Sequence, residues 1–292
     1  MATVNNEDAV DGRLTITGTE EPTSSVPEGY TTLTVNPKIY LNGFPKSGLH
    51  LAALMTLCLV EEEAYKWPWA GTFKWNSWTN DWSHDWQIYQ RLARLREGAY
   101  LKAHAGYRED VERFLFQIGA QVAFIYRDLR DVAISQSFHV INESEDAMHP
   151  DKELYRALPT QEERIIACIN GIDKYPGIID RWELYAPWLD VEWVHKMQYE
   201  DMRLNPFTTS QKFTRYVYER MAYVNGIKLE MSPEKINAQA CRMVMLMEQR
   251  DVSPTYRRGI PGEWAQHWTD KIDKAFTEVG GHDWNRKLGY EE

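Results

Sequence analysis

Lys46 stands in the stretch Asn42-Gly-Phe-Pro-Lys-Ser-Gly48, a glycine-bracketed turn between an apolar run and a helix-like run. Unpaired amides at a helix start carry about half a positive charge and stabilise a bound phosphate, so this turn is a candidate anion cradle. Gly43 and Gly48 have the spacing of the glycines in G-x-x-x-x-G-K-S/T, yet Leu49 and His50 occupy the lysine and hydroxyl positions. That departure weakens a nucleotide triphosphatase reading. A second candidate is Phe124-Ile-Tyr-Arg-Asp-Leu-Arg-Asp-Val-Ala-Ile-Ser135. Here Arg127 directly follows an apolar run and Ser135 lies on the next helix, so a guanidinium and a hydroxyl can converge on one anion. Arg-Asp pairs also occur as plain surface ion pairs. The third is Tyr256-Arg-Arg-Gly-Ile-Pro-Gly-Glu-Trp264, an irregular loop able to wrap a phosphate with Arg257, Arg258 and backbone together.

The elements that must position these residues alternate along the chain. A strand over 38–44 leads through the lysine turn into a helix over 49–60. Strand and helix follow at 99–104 and 109–118, then at 122–126 and 131–140, and a further strand is expected at 191–197. Such alternation predicts an α/β fold with a central parallel sheet flanked by helices, and ligands at the carboxyl ends of the strands. Helices are expected around 207–224, 233–248 and 264–279. Residues 142–160 are polar without clear periodicity, which makes them a candidate flap. Residues 1–28 hold few large apolar side chains and read as a flexible tail, leaving 29–292 as one domain.

The chain has 292 residues, 33 basic and 43 acidic, for a net charge of -10. An acidic mean field disfavours non-specific binding to nucleic acid or an anionic membrane, so any anion site must be built locally. The longest apolar run, 49–60, is too short to span a bilayer, and no secretory leader is visible at the start. Cys58, Cys168 and Cys241 are far apart and form no C-x-x-C pair, which suggests reduced buried thiols, no metal centre and a cytoplasmic location.

Read together, F-P-K-S-G, Y-R-D-x-R-D-V-A-x-S and R-R-G-x-x-G-x-W resemble the cytosolic-type sulfotransferases, and the closing Trp284-Asn-Arg-Lys-Leu-Gly-Tyr290 looks like the tail of bacterial members. These enzymes use 3′-phosphoadenosine-5′-phosphosulfate (PAPS), release 3′-phosphoadenosine-5′-phosphate (PAP) and have one P-loop-like domain. The resemblance implies that Lys46, with Ser47, Gly48, Leu49 and His50, holds the 5′-phosphosulfate. It implies that Arg127 and Ser135 hold the 3′-phosphate and that Arg257, Arg258 and Gly259 close over it. Leu101-Lys-Ala-His104 lies where the family has Lys-Thr-His, which makes His104 the catalytic base and Lys102 its neighbour, and Tyr199 would approach the adenine.

The chemistry asks for the same residue types. Sulfuryl transfer needs the acceptor oxygen deprotonated as it attacks and the leaving phosphate oxygen neutralised. Histidine, with an unperturbed pKa near 6.5, suits the first task, and a compact lysine charge suits the second without a metal. His50 is a second candidate base. Leu49, His50 and Leu51 replace the family's two threonines and tryptophan, and Arg242 is expected to substitute for an adenine-stacking aromatic.

Six tryptophans, Trp67, Trp69, Trp75, Trp78, Trp82 and Trp86, crowd one segment between the lysine turn and His104. Flat rings with one polar N–H suit a small-molecule or glycan acceptor, and they equally suit a satellite core under a loop. Two other functions stay open at this stage: a kinase-like phosphotransferase, and a nucleotide- or partner-binding protein without turnover.

Overall fold

A computed structural model describes residues 36–59, 69–74, 89–90, 92–141, 151–226, 232–248 and 257–290. Its centre is a five-stranded parallel sheet of β1 (Lys38–Gly43), β2 (Trp69–Lys74), β3 (Ala99–His104), β4 (Gln121–Tyr126) and the last strand, β7 (His195–Gln198), in the order β2-β3-β1-β4-β7. A two-residue antiparallel pair, β5 (Gly171–Ile172) and β6 (Tyr175–Pro176), stands apart.

The central strands read as continuous apolar runs because both faces of the sheet are covered. Tyr40, Leu101, Ala103, Val122 and Phe124 point into one core, whereas Ile39, Leu41, Tyr100, Ala123 and Ile125 point into the other. The second core is closed by α1 (Leu49–Thr56) and, further along, by the packed pair α8 (Pro206–Asn225) and α9 (Pro233–Met247). The first is closed by α2 (Glu109–Gln117), α3 (Leu129–Val140), α5 (Gln161–Asn170), α6 (Ile178–Glu183) and α10 (Asp270–Glu278). Short helices α4 (Lys152–Ala157), α7 (Tyr199–Leu204) and α11 (Gly281–Lys287) complete the described architecture.

Local chemistry explains several ends. Asp128 caps α3 by accepting from the Arg130 amide, Thr160 and Glu163 form a reciprocal capping box on α5, and Gly226 ends α8 in the left-handed conformation.

Four expectations change. The last strand covers 195–198 rather than 191–197, because Val194 turns back to bond the Val191 carbonyl before extended structure begins. Helix α1 stops at Thr56, with turns at 57–59. The expected 264–279 helix splits into a 3-10 turn, Glu263–Gln266, and α10, which starts afresh from a Thr269 cap. Residues 151–160 include α4 with a buried Tyr155, so that half of the expected flap is packed structure; residues 142–150 lie outside the described residues. The expected tail at 1–28 also lies outside them. No described helix is long and apolar enough to cross a membrane.

Candidate active site

The carboxyl ends of β1, β3, β4 and β7 carry the chemistry-bearing residues, as a parallel sheet requires. After β1 the Phe44 amide adds one more rung to β4, bonding the Ile125 carbonyl at 3.1 Å, and the chain then turns, with the Ser47 amide bonding the Phe44 carbonyl at 3.1 Å. Lys46 has φ 72° and Gly48 φ 94°. A lysine in that left-handed region stores about 1–3 kcal/mol of strain, a cost that typically appears where geometry serves a ligand. Among the described residues no side chain caps the start of α1, and fully buried Ser47 finds no hydrogen-bond partner for its hydroxyl. A buried donor without a partner beside uncapped amides is what an anion cradle leaves for its ligand.

Tyr199 ties this turn to the second motif. A Cβ on Gly48 would stand 2.4 Å from Cδ2 of the Tyr199 ring, and the Arg127 guanidinium lies 4.2 Å from the centroid of that ring. Arg127 is buried and donates through Nη2 to Asp131 at 3.0 Å and to the Ile260 carbonyl at 3.1 Å. Its Nε has no hydrogen bond among the described residues and lies 3.9 Å from Glu200 Oε1. Burial pushes the Glu200 carboxyl above its usual range, while the Tyr290 hydroxyl, donating at 2.6 Å, draws it back.

Asp131 fastens the third motif to α3. It accepts from the Gly262 and Trp264 amides, both at 2.8 Å, and from Arg127. Burial raises its carboxyl, with Arg127 and the two amides opposing. One helical turn further on lies half-buried Ser135. Another turn on is Phe138, whose ring lies 4.2 Å beneath the Arg257 guanidinium. Positions 131, 135 and 138 share one helix face, so Ser135 sits between the two points where the 257–264 loop touches α3. Arg203 Nε also holds that loop, donating to the Gly259 carbonyl at 2.9 Å. The Arg258 side chain is 49% exposed and that of Arg257 32%.

His104 ends β3, and its Nδ1 lies 2.7 Å from the Gly43 carbonyl oxygen. A carbonyl only accepts, so Nδ1 carries the proton and Nε2 keeps the lone pair in the neutral ring. Asn42 holds this end of β3 in place by bonding the Ala105 carbonyl at 2.8 Å and the Ala105 amide at 2.9 Å. Lys102 lies two residues back, half-buried, and burial lowers its ammonium from the usual lysine value.

Other expectations fare differently. Leu49 is buried and can offer only its backbone, and His50 is exposed on the first turn of α1. Arg242 lies within electrostatic range of Cys58, past the C-terminal end of α1, where burial pushes the thiol up to about 11 and Arg242 opposes. Cys58 and Cys168 are buried but Cys241 is exposed, correcting the expectation of three buried thiols; all three are free. Of the six tryptophans only Trp69 falls among the described residues, through its backbone. Sequence reasoning missed Asn42, Asp131, Glu200 and Glu263, which read as ordinary polar residues. The one signal for Asp131 was its i,i+4 spacing from Arg127.

Residues 36–286 match the sulfotransferase domain family. The chain belongs to that family. Its members move a sulfuryl group from PAPS to an acceptor. Among solved structures, the mouse sulfotransferase SULT7A1 complexed with PAP aligns over 87% of this chain and 85% of its own, at 16% identity and a TM-score of 0.55. Retinol dehydratase with androsterone and inactive cofactor PAP aligns over 84% and 81%, at 12% identity and a TM-score of 0.47. No curated protein matches the sequence. At 16% identity the likeness to the mouse enzyme is one of fold, and it agrees with the parallel α/β sheet built above.

Proposed function

We propose that this chain transfers the sulfuryl group of PAPS to a hydroxyl or amine of a small molecule or glycan, with His104 as the base. The observation that carries the reading is the His104–Gly43 hydrogen bond: the residue that orients the imidazole belongs to the same strand end that opens the lysine turn. When bound, the nucleotide supplies a sulfuryl group on a good leaving phosphate. His104 Nε2 takes the acceptor proton as a new bond from the acceptor to sulfur forms, and the sulfur–phosphate oxygen bond breaks. Lys46, on the strained turn, neutralises the departing oxygen, with Lys102 as a second cation. The amides of Ser47, Gly48, Leu49 and His50 cradle the 5′ end. Arg127, Ser135, Arg257, Arg258 and Gly259 hold the 3′-phosphate, and Tyr199 forms the wall between the two phosphate positions, beside the adenine.

Two buried polar atoms that lack a hydrogen bond among the described residues, Ser47 Oγ and Arg127 Nε, support this assignment, since they lie in the two motifs expected to hold the two ends of the nucleotide. On the acceptor side, register pairs Lys74 with His104, so a strand within the tryptophan-rich stretch ends beside the base. That supports an acceptor held by those rings. Both cores share one sheet, which supports a single domain over 29–292 and a single calorimetric transition; two separated transitions would contradict it. Three free cysteines support a reducing compartment, the cytoplasm, testable by fractionation of the source cells.

Thermal shift discriminates this reading from a kinase. PAP at a hundredfold over its Kd should stabilise by about 2.7 kcal/mol. Stabilisation by ATP with magnesium and none by PAP would overturn the proposal, and transfer from labelled PAPS to an acceptor panel would then test turnover.

A further inference from the structure

Glu263 is a buried carboxylate that no step above uses. Its two oxygens accept from Arg257 end-on, Nη1 to Oε1 at 2.8 Å and Nη2 to Oε2 at 2.7 Å. Oε1 also accepts from Arg258 Nη1 at 3.3 Å, and His267 Nε2 lies 3.8 Å from it. The carboxylate is itself fixed from behind, because the amides on either side of it, Gly262 and Trp264, both bond Asp131 on α3.

We propose that Glu263 is the positioning residue for Arg257 and Arg258, and that discrimination in favour of a 3′-phosphorylated nucleotide depends on it. This rests on the reading that these two arginines hold the 3′-phosphate. An end-on carboxylate occupies the far edge of a guanidinium and leaves the edge carrying Nε for a second anion. Among the described residues no partner takes Arg257 Nε. Two adjacent guanidiniums repel, and one shared carboxylate lets them lie together while leaving one positive charge in excess for the ligand. Without it, two long side chains, one third and one half exposed, would have to be ordered at the moment of binding.

The test compares binding of PAP and of adenosine 5′-monophosphate, which lacks the 3′-phosphate, by calorimetry. Wild-type chain should prefer PAP. Glu263→Gln should weaken PAP by about tenfold and leave the monophosphate unchanged, and Glu263→Asp, which keeps the charge but falls a methylene short, should lose about threefold for PAP alone. The Asp variant carries the same test should the Gln variant fail to fold. Equal weakening of both nucleotides would mark Glu263 as merely structural and overturn the proposal, as would unchanged or tighter PAP binding. A wild-type chain that binds both nucleotides equally would instead overturn the underlying assignment of the arginines.

Discussion

His104 and Gly43 meet across neighbouring strands, Nδ1 to carbonyl oxygen at 2.7 Å, and this bond fixes both the tautomer and the direction of the imidazole. If His104 is the base proposed above, His104→Ala should lower kcat by roughly a hundredfold or more while leaving PAP affinity unchanged, since such a base acts on the acceptor proton. Single-turnover rates with labelled donor, alongside PAP titration, measure both. Retention of the full rate would remove His104 from the mechanism.

Gly48 cannot be changed quietly. Its φ of 94° disfavours any side chain, and a Cβ would overlap the Tyr199 ring. Gly48→Ala should cost about 1–3 kcal/mol of stability from backbone strain alone, and should weaken PAP by displacing the ring on which Arg127 stacks. Pairing it with Tyr199→Ala should give less than the sum of the two losses, since the overlap is then gone. Strict additivity in urea denaturation would contradict the contact.

Asp131→Ala removes the acceptor of three hydrogen bonds and strands the buried Arg127 charge. The expected cost is about 3 kcal/mol, the low end of the range for a broken buried pair, because Glu200 remains near the guanidinium. PAP affinity should fall with it, as the 257–264 loop loses its hold on α3. A change under about 0.5 kcal/mol, typical of surface sites, would refute the role.

Lys102 gives a pH signature. Burial depresses its folded-state value below that of an ordinary lysine, so it gives up its proton earlier as pH rises. If its charge helps the departing oxygen, kcat/KM should decline on an alkaline limb lying below 10.5, and Lys102→Met should lack that limb. The same shift means that the cost of burying the ammonium is present at low pH and is relieved as pH rises through the folded value. The variant should accordingly gain stability relative to wild type at neutral pH and lose that advantage in alkali. An identical pH–rate profile in wild type and variant would exclude the residue.

The strands were readable where the sheet is doubly covered. The strand at 99–104 has the bounds expected for it, and those of β1 and β4 differ by one residue, because most of their positions are buried. Strand β2 escaped notice since Trp69–Lys74 sits inside an aromatic-rich stretch without simple periodicity. The lysine turn, Arg127 and the Arg257 loop stood out by residue type, yet their connections did not. Nothing local reveals that Asp131 reaches residues more than a hundred positions away, or that Tyr199 wedges between Gly48 and Arg127. Such buried polar contacts depend on tertiary placement, and in sequence Asp131 and Glu263 look like ordinary solvated charges.

Strand order carries one more implication. The nucleotide ligands proposed above sit mainly on the β1, β4 and β7 flank and the loops beyond it, whereas His104 and the register partner Lys74 sit on the β3 and β2 flank, with β1 as the watershed. On the proposed assignment, substitutions along the β2 border should retune which molecule is modified while the grip on the donor stays as it is.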